Sequence, residues 1–262
     1  MARRARRRFG GGVMGEISKQ QTAPSIDSLP SMKLLTGVLS LTAGSVDVIG
    51  VLALGGLFTA HITGNLVILA AHVVSGGTAQ LAAILSVPVF MLVLCLARLL
   101  AGGFEAIGLD SLRPLLLLQF LFLVGFLVVC VATGPGIDPN AAIATFAGML
   151  GVSAMAVQNA LVQASLSRVP ATAVLTTNIA RFTTDVGTIL LESSGAQAAA
   201  ARKRIDRIWP SIVGFVSGCG IGAVCEARFG LWSLALPAGL ALLALAMARP
   251  SVSSGQIKRG EG

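Results

Sequence analysis

The chain has 262 residues, 55% of them hydrophobic and 11% charged, with a mean hydropathy of +0.85 and a net charge of +8. Soluble domains carry about 25% charged residues, so the composition excludes an ordinary soluble fold and places the chain in a lipid bilayer. Its apolar runs are continuous rather than alternating, which excludes an outer-membrane barrel and predicts an all-α, polytopic helical protein.

Residues 1–33 hold Arg3, Arg4, Arg6, Arg7, Arg8, Lys19 and Lys33 in a setting rich in Gly, Ser, Gln and Pro. That composition predicts a disordered tail. Its arginines read as juxtamembrane charge that keeps the N-terminus in the cytoplasm and leans on anionic lipid, not as a nucleic-acid patch. No apolar h-region follows at signal-peptide distance, so no cleavage is expected.

A single transmembrane domain is expected over 34–249, in halves 34–133 and 141–249, with a cytoplasmic tail at 250–262. The first run, Leu34 to Leu57, is long enough to cross a hydrocarbon core of about 30 Å, yet it contains Asp47. An intramembrane acid points to a functional site, as a protonatable carrier or ion ligand. The plainer alternative is a structural acid bonded to a hydroxyl or amide on a neighbouring helix. A polar knot, Thr59-Ala60-His61-Ile62-Thr63-Gly64-Asn65, then opens a short run ending at Val74. It either exposes backbone groups at membrane depth to a solute or is a helix N-cap made by Thr63 or Asn65. Leu81 to Leu100, with Pro88 and a snorkelling Arg98, and Leu115 to Val131 complete the first half.

The second half opens with Ala141 to Leu166, which carries the amides Gln158, Asn159 and Gln163. A looser knot, Thr176-Thr177-Asn178, starts a helix bearing Arg181 and Asp185, whose spacing of four predicts an intrahelical pair. A basic loop at 202–207 precedes Trp209 to Cys225, where Gly214, Gly218 and Gly222 form a stripe for close helix packing. Leu231 to Ala248 is the last run. Each half thus reads as long run, short polar-headed run, long run, long run, and Asn65 and Asn178 lie 113 residues apart. Six crossings with both termini cytoplasmic are expected, the two short segments dipping in and returning, because that arrangement puts nearly all basic loops inside. The halves are then inverted repeats.

The residues Gly44-x-x-Asp47, Gly55-Gly56-x-Phe58 and Thr63-Gly64-Asn65 resemble the signature of the YoaK family of bacterial membrane proteins, a domain of unknown function. Gln158-Asn159-Ala160 and Val174-Leu175-Thr176-Thr177-Asn178 are similar to that family's later motif, with Thr177 where the family's pattern has glycine. The resemblance spans about residues 34 to 248 and implies a multi-pass protein of the bacterial inner membrane; it implies no substrate.

Asp47, Thr63, Gly64, Asn65, Gln158, Asn159, Thr176 and Asn178 are therefore the candidate residues for binding a small polar solute or ion. Asp47, Asn65 and Asn178 are expected around one cavity near the middle of the membrane. His61, His72 and Asp47 are the only conceivable metal set and fit no spacing with a defined mechanism, so no metal or cofactor is expected. Cys95, Cys130, Cys219 and Cys225 read as packing residues. No protease motif or paired nucleophile and base is present, so an enzyme is not expected. A small secondary transporter is the leading expectation, with a noncatalytic scaffold or accessory subunit as the alternative. The oligomeric state is left open.

Overall fold

The computed structural model describes residues 30–76, 80–136, 138–165, 175–192 and 194–248. The expected tails therefore lie outside the described residues, except that 30–33 form the first turn of a helix. The elements are α1 (Pro30–Ala53), α2 (Ile62–Ser75), α3 (Leu81–Ala106), α4 (Leu112–Thr133), α5 (Ala142–Ser165), α6 (Leu175–Leu191) and α7 (Ala196–Phe229). A 3-10 turn, Gly230–Leu234, leads into α8 (Ala235–Met247). There is no strand among the described residues. Five segments are long and apolar enough to cross a membrane: Met32–Ala53, Leu81–Ala106, Leu112–Thr133, Ala142–Ala164 and the stretch Ala196–Met247 that joins α7 to α8.

Two expectations change. The basic stretch 202–207 is not a loop but part of α7, which begins at Ala196. The sequence Ala196-Gln-Ala-Ala-Ala-Ala-Arg-Lys-Arg is made of strong helix formers, so helix continues through the charges and past Pro210. The last run is not one helix, because Gly230 adopts φ +53 and the chain winds a 3-10 turn before α8 starts.

The core is built in two tiers. One holds Leu35 and Leu39 of α1, Ala97 and Ala101 of α3, Leu115 of α4, Leu161 of α5 and Ala244 of α8. The other holds Val46 and Ile49 of α1, Ala82 of α3, Phe126 and Cys130 of α4, Ala147 of α5 and Ala238 of α8. Read along each helix, α1 and α4 run from the first tier to the second, whereas α3, α5 and α8 run back. The first tier lies at the end that carries Lys33, paired with Asp206; we call this the basic end.

Helix α7 runs parallel to α1, from the Lys33 pair with Asp206 to Gly222 beside Val48. Gly214, Gly218 and Gly222 all face α1. A Cβ on Gly218 would stand 2.3 Å from the Leu41 carbonyl oxygen, and one on Gly44 would stand 2.3 Å from that of Phe215. The two backbones touch, and the contact relies on dispersion and small side chains because lipid supplies no hydrophobic drive between helices. The hydroxyls on α1 stay satisfied within this seam: Thr42 donates to the Val38 carbonyl, Ser45 to that of Thr42, and Ser40 to the hydroxyl of Ser211. With 72% and 78% of their spans buried, α1 and α5 form the centre; α3, at 17%, forms the rim.

Candidate functional site

The site begins where α1 ends. Gly55 and Gly56 take φ of +66 and +100, and Gly55 has Pro139 and Gln80 against its α-carbon, so the chain turns here as only glycine allows without strain. Residues 57–61 then fold back beside α1. Gln80 at the head of α3 donates through Nε2 to the Gly55 carbonyl at 2.7 Å. The chain leaves and re-enters at one place, with α2 in between.

Asp47 holds the returning strand of chain. Its carboxylate is buried; Oδ1 accepts from the backbone N–H of Thr59 at 2.8 Å and of Ala60 at 2.7 Å, with longer contacts from the Thr59 hydroxyl and the His61 N–H at 3.4 Å. Oδ2 lies 2.7 Å from His61 Nδ1. The acid thus satisfies donors at the head of α2 from a different helix, and the alternative reading of the knot, a cap by Thr63 or Asn65, does not form. Asn65 instead reaches back: Oδ1 accepts from Phe58 N–H at 2.9 Å, and Nδ2 donates to the Phe58 carbonyl at 2.8 Å and to Ser86 of α3 at 3.0 Å. Gly64 lies under the Phe58 ring, where a Cβ would approach Cδ2 to 2.9 Å.

The His61 ring, a third exposed, packs edge-on to Phe215 at 5.2 Å and to Phe58 at 6.3 Å between centroids. Nδ1 is engaged by Asp47, so Nε2 is the ring nitrogen left to act on the adjoining space. That space is a cavity of about 440 Å³ lined by Ala60, His61, Ile62, Thr63, Phe90, Asn159, Leu175 and Thr176. Residues 62–63 open α2 and residues 175–176 open α6, so both short helices start at this cavity and direct their N-terminal dipoles at it.

From the cavity the two helices diverge. α2 climbs antiparallel to α3, with its head beside Phe90, Asn65 at Ser86, and the chain regaining Gly55 at Gln80. α6 descends antiparallel to α7: Asn178 donates to Ser211 at 3.3 Å, and Asp185 accepts a two-pronged contact from Arg204 at 2.6 to 3.1 Å at the basic end. The expected pairing of Asp185 with Arg181 is corrected here. Asp185 and Asn178 face α7, where the guanidinium of Arg204 matches the carboxylate geometry, while Arg181 is exposed.

Of the residues singled out in the sequence, Thr63, Asn159 and Thr176 line the cavity. Asp47, Asn65, Gly64 and Asn178 do not; they hold the elements that form it. Asn178 lies with Ser211 and Ser40, seven residues along α1 from Asp47, or about 10 Å. Gln158 turns into the core, where its Oε1 accepts from Gln119 at 2.6 Å and its Nε2 donates to the Leu39 carbonyl at 3.0 Å. Sequence reasoning missed the pairing of His61 with Asp47, Phe90 on the cavity wall, and Ser86 as the anchor of Asn65. An acid followed at twelve to fourteen residues by a polar knot was the available signal.

No curated protein and no solved structure is significantly similar to the chain. A family model described as "Protein of unknown function (DUF1275)" matches residues 35–247, which include every helix that builds the cavity. With four-fifths of its length and all of the site inside that match, the chain belongs to this family, DUF1275.

Proposed function

We propose that the protein is a small secondary transporter that moves a small polar solute in exchange or in company with protons. The observation that carries this reading is the pair of short helices that begin at one cavity and leave toward opposite ends of the bundle. Such paired interruptions, with helix N-termini at the binding site, are a recurrent transporter arrangement. Six crossings follow if α1, α3, α4, α5, α7 and the turn with α8 each span the bilayer while α2 and α6 re-enter from opposite faces. The two halves are then inverted repeats. The basic end faces the cytoplasm, because Lys33 and the Arg202 to Arg207 cluster belong there by the positive-inside rule. Hydroxyls of Thr63 and Thr176, the amide of Asn159 and the imidazole of His61 offer donors and acceptors to the solute. The Asp47–His61 pair supplies a proton-binding centre that solute occupancy can perturb.

A second reading, a noncatalytic scaffold or accessory subunit, draws on one observation: both carboxylate oxygens of Asp47 are spent on the chain's own groups. Purified protein in liposomes containing a trapped pH-sensitive dye separates the two. Sugars, amino acids, nucleosides and dicarboxylates are added singly under an imposed pH gradient. A transporter gives proton flux dependent on at least one class, and His61→Gln abolishes it. Absence of flux with every class, alongside an intact fold, favours the scaffold.

A further inference from the structure

The cavity beside His61 has a neighbour on its basic-end side, with which it shares no lining residue. This second cavity, of about 480 Å³, lies toward the basic end and is walled by one face of α3 together with Gln163 of α5. On α5, Asn159 and Gln163 are four residues and about 6 Å apart on the same face. On α3, Phe90 borders the first cavity, and Leu94 and Arg98 follow at the same spacing in the second. Glu105, seven residues beyond Arg98, closes the series at the end of the helix.

From these observations we propose that the face shared by α3 and α5 is the arm of the solute route that joins the cavity beside His61 to the basic end, and that it is filled by water. This rests on the transporter reading above. The competing occupant is a lipid tail. Arg98, Glu105 and the exposed amide of Gln163 stand along this face, and each is costly against hydrocarbon yet ordinary beside water. Met91, Leu94 and Cys95 separate Arg98 from Phe90 on α3, while on α5 Gln163 stands one turn from Asn159, so the polar groups follow the same face as the first cavity.

The chain carries its own reporter. Cys95 lines this second cavity, whereas its neighbour Leu96, 55% exposed, does not. Only a thiolate attacks a methanethiosulfonate, and thiolates form in water but not in hydrocarbon. The test uses the full chain in lipid nanodiscs, with Cys130, Cys219 and Cys225 changed to Ala, and a charged trimethylammonium methanethiosulfonate as probe. Cys95 should react about ten times faster than a Leu96→Cys, Cys95→Ala variant, and Gln163→Cys in the Cys95→Ala background should match Cys95. If the triple alanine variant is unstable, Cys95→Ser in the otherwise native chain should remove the fast-reacting thiol. Cys95 reacting no faster than residue 96 means that lipid fills the groove and overturns the proposal. Solute-driven proton flux that persists with an unreactive Cys95 sinks this route alone, while loss of flux with every solute class sinks the transporter reading instead.

Discussion

Asp47 is the residue on which two requirements meet. As a support it accepts the N–H groups of Thr59 and Ala60, and as a titratable group it faces His61. The two roles separate by substitution. Asp47→Asn keeps an acceptor oxygen in place, so the loop should survive and thermal stability in detergent should change little, while on the proposed transport function the solute-driven proton flux into liposomes should be lost. Asp47→Ala orphans two buried donors at about 1–3 kcal/mol each and should lower the melting temperature well below that of Asp47→Asn. Equal melting of the two variants would show that the carboxylate does not hold the loop. Asp47 was conspicuous in the sequence because an acid in an apolar run is rare. Its partners were not, since backbone N–H groups have no sequence signature and His61 lies across a turn set by two glycines.

At the scale of elements, the seam between α1 and α7 and the latch between α6 and α7 make opposite predictions about what tolerates change. Gly218→Ala puts a methyl where the Leu41 carbonyl stands and must part the helices, whereas Gly220, with nothing within 4 Å of its α-carbon substituent, should accept Ala without loss. Comparing the detergent melting of these two variants tests the seam; if both melt like the parent, the helices are not in backbone contact. Arg204→Gln leaves Asp185 buried and unpaired, so the chain should lose stability and recover most of it in the double variant with Asp185→Asn. Additive losses would mean that the two side chains do not interact. The stripe of glycines was legible as a site of close approach, but not its partner, because α1 meets it with backbone and with Gly44 rather than with a matching stripe. The extension of α7 through its arginines was missed because charge was read as loop, although alanine-rich sequence favours helix regardless of where the membrane ends.

For the whole molecule, the order of long and short runs was readable from hydropathy as far as α7, since chain length and apolarity set which segments reach across a bilayer, but the last run divides into a 3-10 turn and the 13 residues of α8. Which short segments meet in space was not, because that depends on turns such as Gly55-Gly56 and on hydrogen bonds between distant helices. Six crossings require the 134–136 turn and the start of α7 to lie on opposite faces. Single cysteines at Gly136 and Ala200, in a chain otherwise free of cysteine, should be labelled by an impermeant maleimide from opposite sides of sealed vesicles. Labelling from one side would remove the inverted arrangement and with it the main support for transport.

The seam between α1 and α7 also has a consequence for how the protein is made. Ser40 and Ser211 are 171 residues apart in the chain yet bonded in the folded state. At synthesis rates of about 5–20 residues per second, α1 waits on the order of ten to thirty seconds before its partner emerges from the ribosome. During that interval Ser40 lacks the hydroxyl of Ser211, and the face of α1 at Leu41 and Gly44 lacks the backbone of α7. Helix α1 thus gains its main neighbour only late in synthesis, and a nascent chain arrested before α7 should be a preferred target for quality-control proteases.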